Sequence, residues 1–173
     1  MTIRLKIADL GGETGFAIFS PEKRPVYRYA LGRIWGNHGR LINFLMLNPS
    51  KATHVDTDPT ITRCKTRAQM LGYDGFIVTN LFALRSTDPK GLKKVRDPIG
   101  PLNDRNILFA AAECKLVLCG WGLHGAYQDR GSKVLATLRR RFPDKLRALH
   151  LTKDGIPGHP LFLPYDLQPF ELK

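Results

Sequence analysis

Four short apolar runs, each halted by a polar, turn-rich segment, constrain this chain more than any other feature. The runs cover residues 42–47, 76–81, 115–119 and 147–151. Continuous apolar stretches of this length suit strands buried on both faces, as in a parallel sheet. The first halts at Asn48-Pro49, where proline cannot continue a hydrogen-bond ladder. Helix signals lie between the runs. Asp58-Pro59-Thr60 supplies an N-cap and a first-turn proline, and Gly72 supplies a stop, so a helix is expected to about Leu71. A second helix is expected from about Leu102 to Ala112, and a third from Ala126 to the basic end Arg139-Arg140-Arg141. Strands alternating with helices imply a sheet covered on both faces. The expected class is α/β: a three-layer α/β/α sandwich with a central, mostly parallel four-stranded sheet. Residues 1–40 are expected to add an N-terminal β-hairpin extension packed on it. Its strands would be 16–19 and 27–31, with turns at Ser20-Pro21-Glu22-Lys23-Arg24-Pro25 and Gly36-Asn37-His38-Gly39.

The 173 residues suit one domain, 1–173, with a sizeable core. No run approaches the roughly 20 apolar residues that cross a bilayer. Met1-Thr2-Ile3-Arg4-Leu5-Lys6 has no signal-peptide core, so a cytoplasmic protein is expected. Lysine and arginine number 27 against 15 acidic residues, a net +12. That excess favours a polyanion, usually nucleic acid. No segment reads as a basic amphipathic membrane anchor, so no membrane partner is expected. Cys64, Cys114 and Cys119 are odd in number and form no C-x-x-C, which argues against a disulfide framework or zinc knuckle. No metal and no cofactor are expected, and a monomer is expected. Cys119 reads as a small core residue.

In an open α/β sheet the strand ends gather at one edge, and ligands bind there. The four halting segments are therefore expected to form one composite site. Leu47-Asn48-Pro49-Ser50 is turn chemistry on its own terms, yet an amide such as Asn48 can also orient water through its carbonyl oxygen. In Thr79-Asn80-Leu81-Phe82-Ala83-Leu84-Arg85, Asn80 either caps the strand end or presents its amide to a ligand, and an amide matches a pyrimidine edge with one donor and one acceptor. Arg85 either meets a phosphate or pairs with Asp88 or Asp97. Trp121, in Gly120-Trp121-Gly122, either walls a pocket or packs in the core. Lys153-Asp154-Gly155-Ile156-Pro157-Gly158-His159-Pro160-Leu161 is a loop that holds a His-Pro pair. Arg28, Arg33 and Trp35 line an entrance or sit on a strand face. Asp58 reads as a helix cap and Asp56 as a weaker helper for a water, while His124 has no assigned role.

The order, spacing and strand-end placement of these blocks, from about Ile42 to Leu161, resemble the uracil-DNA glycosylase superfamily. The chain also resembles an uncharacterised bacterial and phage-associated family with the pattern Tyr27-Arg28-Tyr29, Leu47-Asn48-Pro49-Ser50, Asp58-Pro59-Thr60 and His159-Pro160-Leu161. The superfamily resemblance implies that Asn48 holds the attacking water and that His159 donates a hydrogen bond to the departing base. It implies substrate-binding roles for Asn80, Pro49, Ser50 and Trp121. It implies DNA contacts for Arg85, Lys153, Pro160 and Leu161, the last as an apolar wedge. The chain departs from the superfamily pattern at Met46 (usually glycine), Ser50 (glycine or an aromatic) and Leu161 (serine).

The expected function is therefore a monofunctional DNA N-glycosylase that flips and excises a damaged or modified pyrimidine. The small polar Ser50-Lys51-Ala52-Thr53 stands where uracil enzymes carry a bulky aromatic, which implies a roomier pocket. A bulky modified cytosine of phage DNA, and hence a role in phage defence, fits that room. Uracil or mismatch repair, a non-catalytic nucleic-acid-binding module on the same scaffold, and an enzyme of free nucleosides or nucleotides are the alternatives.

Overall fold

The first helix begins and ends where its local chemistry dictates. The computed structural model describes residues 3–21 and 26–172. In it Asp58 Oδ1 accepts from the Ile61 N–H at 2.9 Å, and α1 runs Pro59–Met70. Gly72 follows at φ +73°, a left-handed conformation that glycine adopts at little cost. Ile61, Cys64 and Ala68 form the buried stripe of α1. Helix α2, Asn103–Glu113, buries Ile107, Ala110 and Ala111. Helix α3, Arg130–Arg141, buries Val134 and Leu138 and leaves Arg139, Arg140 and Arg141 exposed.

Helix α3 starts four residues later than the sequence suggests. Gln128 and Asp129 have φ of 57° and 54°, which a right-handed helix does not accept. The chain first wraps Trp121: a Cβ at Gly125 would stand 2.1 Å from Trp121 Cδ1.

Eight strands form one sheet: β1 Arg4–Asp9, β2 Thr14–Ser20, β3 Tyr27–Ile34, β4 Leu41–Met46, β5 Gly75–Asn80, β6 Leu116–Cys119, β7 Leu146–Ala148 and β8 Phe170–Glu171. Their order is β1-β2-β3-β5-β4-β6-β7-β8. Three ladders are parallel: β5·β4, β4·β6 and β6·β7. The other four are antiparallel. The architecture is thus mixed α/β, and the expected four-stranded, mostly parallel sheet is corrected. The four apolar runs do supply β4 to β7, but antiparallel strands extend them on both sides. The N-terminal segment is also corrected: it is not a hairpin packed on the sheet, because β1, β2 and β3 continue its plane. β3 reaches β5 through the Leu31–Val78 register. Glu22 to Pro25, the middle of the expected first turn, lie outside the described residues.

Side-chain alternation divides the interior. Ile42, Phe44, Phe76, Val78 and Leu118 pack with α1 on one face. Leu45, Val117, Cys119 and Ala148 pack with α2 and α3 on the other. The chain leaves β4 across the α1 face and leaves β6 across the α3 face. The topological switch point therefore falls between these adjacent strands, and open α/β sheets bind ligands in the crevice at the C-terminal ends of such a pair. No helix among the described residues is long and apolar enough to cross a membrane.

Candidate functional site

Asn48 follows β4 at that edge of the sheet. Its Nδ2 donates to Ser86 O at 2.7 Å and to Pro49 O at 3.1 Å. Two carbonyl acceptors can be served only by the amide NH2, so the orientation of the side chain is fixed. Oδ1 makes no hydrogen bond among the described residues and is left to accept from outside the protein. Pro49 is buried, and its carbonyl also accepts from Ser86 N at 2.8 Å. The exits of β4 and β5 are thereby stitched together. Ser50 is half-buried and lines an open groove with Lys51, Arg85, Ser86 and Thr87.

Asn80 ends β5. Its backbone carbonyl accepts from Asn103 Nδ2 at 2.9 Å, and the next carbonyl, Leu81 O, accepts from Asn103 Nδ2 and Arg130 Nε, both at 2.8 Å. Helices α2 and α3 thus fix the backbone floor. The Asn80 side chain is only 2% exposed and makes no hydrogen bond among the described residues. Alternation along β5 puts it on the α1 face, opposite Met46 in register.

His159 stands beyond β7, after a returning loop closed by the Leu151–Pro157 bridge and by Gly158 N to His150 O at 2.9 Å. Its Nδ1 accepts from Leu161 N at 3.2 Å. In the neutral ring the proton therefore sits on Nε2, which becomes a donor. Burial lowers the His159 pKa to about 4 against an opposing pull from Asp58, so the ring is neutral at physiological pH. Pro160 is buried against Gly120, where a Cβ would stand 2.8 Å from Pro160 Cδ. The exits of β6 and β7 meet there.

Two arginines on α1 hold this turn from the other side. Arg63 donates to Pro160 O and Leu163 O. Arg67, only 1% exposed, donates to Leu163 O, Pro164 O, Tyr165 O and Leu167 O. Both guanidinium groups stack on the Tyr165 ring, at 4.1 and 5.4 Å. At the tip of the turn Phe162 is 79% exposed.

A protein-family model described as "Protein of unknown function (DUF1643)" matches residues 28–161. The chain belongs to the DUF1643 family. No curated protein and no solved structure matches it. The matched DUF1643 span opens on Arg28 and closes on Leu161. It therefore contains Asn48, Asn80 and His159, and excludes β1, β2 and all four carbonyls that Arg67 holds.

The remaining expected residues of this DUF1643 chain divide. Leu161 is half-buried and lines a groove with Thr57, Asp58, Thr62, Arg63 and Tyr165. The aromatic beside it, Phe162, is the side chain that protrudes. Lys153 is exposed on the returning loop. Arg85 is half-buried with its guanidinium 5.4 Å over the Phe19 ring. It pairs with neither Asp88 nor Asp97, whose carboxylates accept from nearby backbone N–H groups. Trp121 is corrected: it is buried in the α2–α3 core against Gly125 and Gly131 and does not wall the crevice. Asp56 accepts from Thr53 Oγ1 at 2.9 Å and organises its own loop. Arg33 pairs with Glu13 and Trp35 donates to Tyr73 O, both at the end of β3 that meets the start of β5, away from the strand ends that carry Asn48 and Asn80. His124 is exposed beyond β6. Asp58 is the α1 cap. Arg63, Arg67 and Phe162 went unread in the sequence. An aromatic directly after His-Pro-Leu was the available signal for Phe162.

Proposed function

We propose that this DUF1643 protein is a monofunctional DNA glycosylase acting on an extruded, modified pyrimidine. The observation that carries the reading is the fixed polarity of Asn48, an amide pinned by its NH2 so that its carbonyl oxygen is left without a partner among the described residues. Oδ1 would accept from the attacking water. The neutral His159 would donate from Nε2 to the base oxygen on which negative charge develops, and preorganised donors of this kind dominate many enzymatic rate enhancements. Asn80 would read the base edge. As the C1′–N bond breaks, its electron pair leaves with the base. Water then adds to C1′ and gives its proton to solvent. Such a dissociative, oxocarbenium-like course tolerates an amide in place of a general base. Phe162 would enter the duplex and support base flipping, as apolar wedges do.

The half-buried Ser50 beside an open groove supports a site with room for a bulky substituent, such as the sugar on a glucosylated hydroxymethylcytosine. In that case the protein would act against phage DNA. The test is free-base release from DNAs containing uracil, mismatches, or cytosine that is unmodified, hydroxymethylated or glucosylated. Expected are a released base and alkali-labile abasic sites, with a loss of about 10²-fold or more in Asn48→Ala and His159→Ala. Release that survives both changes would overturn the assignment. Silence across the panel with salt-sensitive DNA binding retained would favour a binding module built on the net +12 charge and the protruding Phe162.

A further inference from the structure

Arg28 carries a charge that its surroundings do not match. It lies on β3, 3% exposed, and its side chain makes one hydrogen bond among the described residues, Nη1 to Ala52 O at 2.9 Å. Its Nε is buried without a partner. Arg85 Nε is likewise buried and unpartnered. Phe19 is the cross-strand partner of Arg28 in the β2–β3 register, and its ring lies 5.4 Å from the Arg85 guanidinium and 6.0 Å from Lys6 Nζ. Among the described residues neither guanidinium has a carboxylate within 4.0 Å. Asp58 acts on Arg28 only through space, and its carboxylate is committed to the α1 N-terminus.

Burial and the proximity of Arg85 lower the Arg28 pKa to about 10, against the pull of Asp58, yet Arg28 stays cationic at neutral pH. A buried cation with unfilled donors is costly unless an anion with several acceptor oxygens fills the place. A groove lined by Ser50, Lys51, Arg85, Ser86 and Thr87 opens the Arg85 side of this pair to solvent and adds the hydroxyls of Ser50 and Thr87 and an ammonium, the Ser86 hydroxyl being committed to Asp88 O. Planar guanidinium forks match phosphate oxygens.

We propose that Arg28 and Arg85 form a phosphate-binding subsite, entered through the Ser50–Thr87 groove beside Asn48. A phosphate reaching Arg28 must itself be drawn below the surface, so it belongs to a nucleotide held in the crevice rather than to backbone passing over it. The subsite stands on its own geometry; only the assignment of that nucleotide to DNA rests on the proposed function.

The test uses the full chain at constant ionic strength, with chloride as the balancing ion. Inorganic phosphate is titrated by calorimetry and by thermal shift. Phosphate is expected to bind and raise Tm where chloride does not, and Arg85→Ala should weaken binding at least tenfold. Arg28→Gln should do the same; if it fails to fold, the half-exposed Arg85 still decides. No phosphate effect above chloride, or unchanged affinity in Arg85→Ala, overturns the proposal. Competition names the source. Thymidine 5′-monophosphate displacing phosphate where thymidine does not marks a monoester, and an unphosphorylated oligonucleotide doing so marks a diester. Phosphate binding without base release would remove the glycosylase reading and leave the subsite. Base release without phosphate binding would do the reverse.

Discussion

Asn48 commits both amide hydrogens to backbone carbonyls, and that fixes what its replacement would do. Asn48→Asp is nearly isosteric but cannot donate to Ser86 O and Pro49 O, and it would set a carboxylate against two carbonyl oxygens. The change should cost about 1–3 kcal/mol in urea unfolding and should not raise any base-release rate, although a carboxylate is the stronger base. His159 gives a pH signature. Its pKa is lowered to about 4 in the folded chain and is about 6.5 when unfolded. Between these values the unfolded chain binds more protons. The stability linked to His159 is therefore complete above about 6.5 and is lost as pH falls towards 4, by roughly 3 kcal/mol at most. Urea unfolding at pH 7 and pH 4.5 should show a smaller difference in His159→Gln than in the parent chain. An equal difference would place the titration elsewhere. The strand-end positions of Asn48 and His159 were legible in sequence because each stands directly before a proline beyond an apolar run. Arg28 was not: the loop that lays Ala52 O against it makes it a buried cation, and no local pattern records that.

At the scale of elements, α1 both covers one face of the sheet and anchors the turn bearing His159. Arg67→Met should cost about 2–4 kcal/mol in urea unfolding, since four carbonyls lose charge-assisted donors. Arg67→Lys should recover only part of this, because an ammonium lacks the planar fork. The caps of α1 were readable because Asp58, Pro59 and Gly72 act within one turn of the chain. The arginine anchor was not, since its partners lie nearly a hundred residues away. Strand β1 also escaped notice. Its apolar side chains alternate over a short span, and Ile3, Leu5 and Ile7 are 49%, 56% and 63% exposed, so no buried run marks it. Helix α3 was read too long because nothing in its residues records that the chain must first wrap Trp121.

For the whole molecule, all three cysteines are free and buried, and burial pushes Cys114 and Cys119 up to about 12 and Cys64 up further. Thiol reagents at pH 8 should label the native chain only as fast as it opens, and labelling should become complete in denaturant. The net charge of +12 supports a second expectation. If DNA is the partner, log affinity should fall linearly with log salt, and Lys153→Ala should make that slope shallower by about 1. An unchanged slope would place the exposed Lys153 outside the contact surface. The anchor on α1 has one more consequence. Arg63 and Arg67 grip main-chain oxygens, which every amino acid supplies alike. Side chains at the tip of the turn can therefore diverge from one relative to another while the mounting beneath them stays the same, a socket that accepts many different bits.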